Sequence, residues 1–214
     1  MNWAWDNRRY IADLLGDHAL LAFVPLVIGL LLAIPLGVRV AHAPRTRFPV
    51  LTLCAFVQVV PALTFFVVFP ALLDTKLDDR INVVVSLSLF TVAVLTRATA
   101  DAVRAVPAHV RLCADAMGMS GLARTMRVEL PVSLPAIVAG LRTAAVACVT
   151  LASASAVVGV RGLGTMFTEG YDTGFETEVL VGVAAVALTA LAADVVLVRA
   201  ARLFAPWARL VPVR

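Results

Sequence analysis

The chain has 214 residues, of which 61% are apolar and 15% charged, and its mean hydropathy is +0.95. So little polar surface excludes a soluble globule of this size and places the chain in lipid as one membrane domain over residues 1–214. The net charge of +4 comes from arginines scattered near the ends of apolar runs, without the aromatic interleaving of a nucleic-acid surface; the lipid bilayer is the expected partner, and no nucleic acid.

Near the start, Trp3, Trp5, Tyr10, Ile11, Leu14 and Leu15 mix with Asp6, Arg8, Arg9, Asp13 and Asp17. That mixture predicts a short amphipathic helix lying at the membrane interface, not a span. The segment lacks a basic-then-apolar start with a small-residue cleavage site, so no cleavable signal peptide is expected. A bilayer core about 30 Å thick needs about 20 apolar helical residues to cross. Runs at 18–40, 48–73, 81–106, 131–158 and 179–204 meet that length. The expected fold is therefore an all-α membrane protein of about five transmembrane helices.

Pro25 and Pro35 lie in the first run, and Pro49, Pro61 and Pro70 in the second. Each removes a backbone donor, which suits either kinked helices around a path or ordinary proline use in membrane helices. With the segment between the third and fourth runs inside, the inner face collects Arg39, Arg45, Arg47, Arg104, Arg111, Arg124, Arg127, Arg199, Arg202, Arg209 and Arg214. The positive-inside rule then puts the N-terminus outside and the C-terminus in the cytoplasm. Trp3, Trp5 and Trp207 are placed as interfacial anchors. Cys54, Cys113 and Cys148, like His18, His42 and His109, lie too far apart in sequence for a disulfide framework or a metal site.

Residues 107–131 are too long and too patterned for a plain connector. Val110, Cys113, Ala114 and Met117 fall at helical spacing, Gly118, Ser120 and Gly121 interrupt, and Leu122, Met126 and Leu130 resume. Two short helices joined at a glycine are expected over about 107–130, facing the cytoplasm.

This stretch resembles the cytoplasmic loop of permease subunits in binding-protein-dependent ATP-binding-cassette importers, whose pattern is Glu-Ala-Ala, three residues, Gly, nine residues, Ile-x-Leu-Pro. Ala114, Gly118, Val128, Leu130 and Pro131 match it, while Leu112 replaces the glutamate and Cys113 the first alanine. Three further segments are similar to the osmoprotectant group, whose solutes are glycine betaine, choline, carnitine or proline. They are Val57-Gln58-Val59-Val60-Pro61-Ala62-Leu63, Gly140-Leu141-Arg142-Thr143-Ala144-Ala145-Val146 and Val158-Gly159-Val160-Arg161-Gly162-Leu163-Gly164.

The resemblance implies that Ala114, Asp115, Gly118, Met119, Arg124, Arg127, Val128, Leu130 and Pro131 form a coupling loop that docks on a cytoplasmic ATPase subunit. It also implies an extracytoplasmic solute-binding protein, a homodimer or a heterodimer with a second permease, and the plasma membrane of a prokaryote. No cofactor is expected on this chain; ATP and magnesium belong to the ATPase, and residues 158–164 lack the Gly-Lys-Ser/Thr ending of a phosphate-binding loop.

Gln58, Pro61, Arg142 and Thr143 are the candidates for the solute path. Arg142 lies about eleven residues past Pro131, or roughly 16 Å along a helix. An arginine at that depth faces protein or water, meeting either a solute carboxylate or a structural acid. Gln58 lines a path or makes an interhelical hydrogen bond. Arg97 and Asp101, at helical spacing, are expected to pair with each other, and Asp194 to pair with an inner-side arginine such as Arg199. Two rival readings remain: an importer permease for methionine or another small amino acid, and a secondary transporter driven by an ion gradient, although no inverted repeat is evident. A membrane enzyme would need a catalytic constellation within a span, and none is seen.

Overall fold

The computed structural model of the protein describes residues 2–204, and every regular element among them is helical. Trp207, Arg209 and Arg214 lie outside the described residues. The order is α1 (Asn2–Asp6), α2 (Arg8–His42), α3 (Pro44–Val59), α4 (Ala62–Leu73), α5 (Arg80–Arg104), α6 (Ala108–Ala116), α7 (Gly121–Arg124), α8 (Leu130–Ala154), α9 (Thr165–Asp172) and α10 (Glu176–Phe204). Four spans are long and apolar enough to cross a membrane, and the bent pair α3–α4 makes a fifth if counted as one.

Three boundaries differ from expectation. The N-terminal segment is not one helix apart from the first span: α1 covers only Asn2–Asp6, and α2 starts at Arg8 and runs unbroken for 35 residues through Pro25 and Pro35. At about 1.5 Å per residue that is about 52 Å, longer than a bilayer core. Its first turns are held by protein: Leu14 is buried with Leu163 and Met166, and the Tyr10 hydroxyl donates to Glu169 at 2.6 Å. Second, Pro61 does more than kink its span. α3 ends at Val59, Val60 and Pro61 are extended, and α4 leaves at 103°. Pro49 and Pro70 stay inside helices. Third, the fourth span begins not at Pro131 but at Gly121, because α7 joins α8 through a π-helical turn at Thr125–Glu129.

α5 occupies the middle, packed on α2, α3, α4 and α8. Its seam with α2 is built from small residues: Gly29, Ala33 and Gly37 at four-residue spacing meet Thr91, Leu95 and Thr99. A Cβ on Gly37 would sit 2.6 Å from the Thr99 Cβ and 2.9 Å from the Thr96 carbonyl, so glycine alone lets the backbones approach this closely. Two buried hydroxyls on α5 donate back along the helix, Ser86 to the Asn82 carbonyl at 2.6 Å and Thr91 to the Leu87 carbonyl at 2.7 Å, whereas those of Thr96 and Thr99 find no partner among the described residues.

Charge collects at the two ends of the bundle. At one end Asp17 meets Arg80 at 2.9 Å and Arg161 at 3.6 Å, beside a glycine-rich turn in which Gly159 has φ +83°. At the other lies the segment between α5 and α8.

Candidate coupling site and solute path

α6 begins after Pro107, whose fixed φ suits a helix start, and turns one apolar residue, Ala114, inward. It stops at Gly118, where φ is +75°, a backbone state that strains any side chain. The Gly118 amide donates to the Asp115 carbonyl at 2.9 Å and the Met119 amide to the Ala114 carbonyl at 3.2 Å, closing the helix end. Ser120 then caps α7 by accepting from the Ala123 amide at 3.3 Å. Arg124 reaches back to Asp115, with Nη1 at 2.7 Å and 2.9 Å from the two carboxylate oxygens, and clamps α7 on α6.

The element that organises the loop is Glu129, which sequence reasoning passed over. Its carboxylate is fully buried where the π-helical turn meets α8. Three basic groups surround it: His42 Nε2 at 2.8 Å, Arg111 Nε at 3.3 Å and Arg124 Nε at 3.4 Å. The Thr125 hydroxyl donates to it at 3.2 Å, and Arg111 Nη2 also donates to the Val103 carbonyl at 2.6 Å. One carboxylate thus ties the C-terminal end of α2, the end of α5, both loop helices and the start of α8. A buried carboxylate is retained only when so compensated, and removing it would leave its cations without their counter-charge. The available signal was an acid in the variable position just before Leu130-Pro131, among Arg111, Arg124 and Arg127 with only Asp115 as a second acid.

Outward, the loop presents apolar side chains. Leu112, Met117, Leu122 and Met126 are all exposed, as are Asp115 and Arg127, while Met119, Val128, Leu130 and Pro131 are half-buried. Leu112, in the position of the family glutamate, lies on this exposed surface. The tip is therefore a small apolar knob with a charged rim on a rigid base, the anatomy of a docking surface.

The path candidates separate into two groups. Gln58 and Pro61 lie at the α3–α4 break, where the Gln58 amide donates to its own helix at the Cys54 carbonyl, 3.1 Å away. Arg142 and Thr143 lie on α8, which packs on α5, α2 and α10. Arg142 grips Asp194 of α10 with Nε at 2.7 Å and Nη2 at 2.9 Å, and Thr143 donates to the Ala139 carbonyl at 3.3 Å. Asp194 therefore pairs with Arg142, not with Arg199. The expected pair of Arg97 and Asp101 does not form: no ion pair among the described residues joins them, and both face an open cleft of about 590 Å3 beside α3. Among the described residues, no cluster of His, Cys, Asp and Glu is arranged to hold a metal.

Residues 26–210 match the family described as "Binding-protein-dependent transport system inner membrane component". The chain belongs to that family. The permease is 28% identical over 207 residues to the choline transport system permease protein OpuBD of Bacillus subtilis (strain 168), covering 96% of this chain and 90% of that one. It is 29% identical over 192 residues to the carnitine transport permease protein OpuCD of Listeria monocytogenes serotype 1/2a (strain 10403S), covering 89% and 85%. With the osmoprotectant import permease protein OsmW of Salmonella typhimurium, strain LT2, it shares 26% identity over 91% of each chain. Among solved structures, a chain of the MetNI methionine ABC transporter in an inward-facing conformation superposes with a TM-score of 0.77 at 18% identity, over 91% of this permease and 95% of that chain. At that identity the likeness shows the fold. The permease is thus a multi-pass inner-membrane transport component with four helices long and apolar enough to span, or five spans with the bent pair α3–α4 counted as one.

Proposed function

We propose that the permease is the membrane subunit of an ATP-driven importer for a small osmoprotectant of the glycine betaine, choline or carnitine kind. The observation that carries this is the loop at 107–130: an exposed apolar tip on a base that Glu129 ties to α2, α5 and α8, so a force on the tip moves three spans together. The names of its relatives, whose similarity runs over nearly the whole chain, supply the solute class.

In this reading the ATPase subunit, which holds ATP and magnesium, receives the loop in a groove. A solute-binding protein delivers cargo on the opposite face, where the N-terminus lies. Two permease subunits, identical or similar, enclose the path. ATPase closure on ATP biases the permease toward one of two states, and hydrolysis of ATP to ADP and phosphate supplies the free energy that resets it.

Gly118→Arg tests the docking. The new side chain has open space around it but a backbone at φ +75° that it adopts only under strain, so it misshapes the tip while leaving the spans intact. Wild type is expected to co-purify with its ATPase and to drive ATP-dependent uptake of labelled glycine betaine, choline or carnitine in proteoliposomes; the variant should fold yet lose at least about tenfold in ATPase binding. Uptake driven by an ion gradient without any ATPase would replace this reading with a secondary transporter.

A further inference from the structure

We infer that the cleft between α3 and α5 is a subsite for the zwitterionic form of the cargo, Arg97 taking the carboxylate and Asp101 the quaternary ammonium. This rests on the importer reading and names a recognition site within it. Both side chains are exposed and unpaired with each other, although they stand four residues apart on one helix face. Arg97 lies seven residues before the end of α5 at Arg104, about 10 Å of helix rise into the span. Charges at such depth face water or protein, not hydrocarbon, and mark solute pathways. If this face met lipid, both charges would be stranded.

The size and chemistry of the cleft fit a small methylated zwitterion. Its volume of about 590 Å3 is ample for a solute of this kind. The two charges are separated by about 6 Å of helix rise, enough for one molecule to bridge them. Arg47 adds a second cation to the wall, which favours a carboxylate, and the exposed ring of Phe48 offers a face to an ammonium carrying methyl groups. α3 leads from this cleft directly to the break at Val60-Pro61, and interrupted helices are where membrane proteins tolerate irregular backbone, beside a water-lined cavity.

The experiment uses the complete transporter, permease with its ATPase and binding protein, in liposomes, with uptake of glycine betaine, carnitine and choline measured side by side. Choline carries the ammonium but no carboxylate. Arg97→Ala should lower glycine betaine and carnitine uptake at least about tenfold, the loss expected for one charge-assisted hydrogen bond, and leave choline within about twofold. Arg97→Lys should restore most carnitine uptake, and Asp101→Asn should depress all three solutes. ATP hydrolysis by the Arg97→Ala assembly reports that it is folded and docked. Arg97→Gln carries the same expectation if the alanine variant does not assemble. Unchanged zwitterion uptake, an equal loss of choline, or dissociation of the permease dimer by Arg97→Ala would overturn the subsite, the last by making the cleft a subunit contact. A wild-type transporter that moves none of the three solutes would instead overturn the importer reading itself, and the subsite with it.

Discussion

α5 and α10 are both spanning helices, of 25 and 29 residues, yet half of the most apolar stretch of α5 is buried by protein and only 11% of that of α10. The buried helix is the less apolar one: mean hydropathy over that stretch is 1.8 for α5 and 2.4 for α10. In water the order would be reversed. Lipid tails solvate leucine as well as a neighbouring helix does, so what brings helices together is close backbone approach and hydrogen bonding. α5 supplies Thr91, Thr96 and Thr99 to glycines on α2 and Ala98 to Gly140 on α8; α10 turns Leu180, Leu188, Leu191 and Val196 outward. Its polar tether within the membrane is Asp194, held by Arg142.

That contrast is most severely tested at the α2–α5 seam. Gly37→Leu forces a side chain into Thr99 and the Thr96 carbonyl, neither of which has room to yield, and should destabilise the permease by about 3 kcal/mol, the upper end for overpacking. Thermal unfolding in detergent reads this directly, and a Tm equal to wild type would refute the tight seam. Next in size is Asp194→Ala, which leaves Arg142 without its acid inside the span. The expected drop in Tm is smaller than for Gly37→Leu, and replacing both partners by leucine should recover most of it, since an ion pair in an apolar setting exchanges for packed side chains at little net cost. If the double variant is worse than Asp194→Ala alone, the pair has a role beyond holding α10. Smallest is Leu188→Ala on the outer face of α10, where 65% of the residue is exposed: a change within about 0.5 kcal/mol is expected by the same measurement. A large loss there would mean that a second subunit, not lipid, covers that face.

Much of this was legible in the chain. The five spans were read within a few residues at most ends, because a hydrocarbon core imposes a length that local composition reports. The loop was placed by its glycine and its closing Leu130-Pro131, since a left-handed turn and a helix start are demands of local backbone. Misreadings have a common cause. Arg97 and Asp101 have ideal spacing for a pair, but spacing gives proximity on one helix and says nothing of what lies opposite. Asp194 was matched to the nearest arginine in sequence, whereas its partner is 52 residues away on another helix. The N-terminal segment reads as separate from the first span because its charges are visible in sequence, while the surfaces that bury Leu14 and engage Tyr10, and hold the continuous α2, come from residues 163–169.

The sequence by itself determined that this protein lives in a membrane, where its long apolar helices run, and which loop resembles that of the family, all consequences of apolar run length and a short motif. Tertiary structure alone decided which helix is central, that Pro61 breaks its span by 103°, that Glu129 gathers three basic groups, and that Arg97 and Asp101 face a cleft without pairing with each other. The physical reason is that a buried charge is tolerated according to what surrounds it in space, and those surroundings are assembled from segments far apart along the chain.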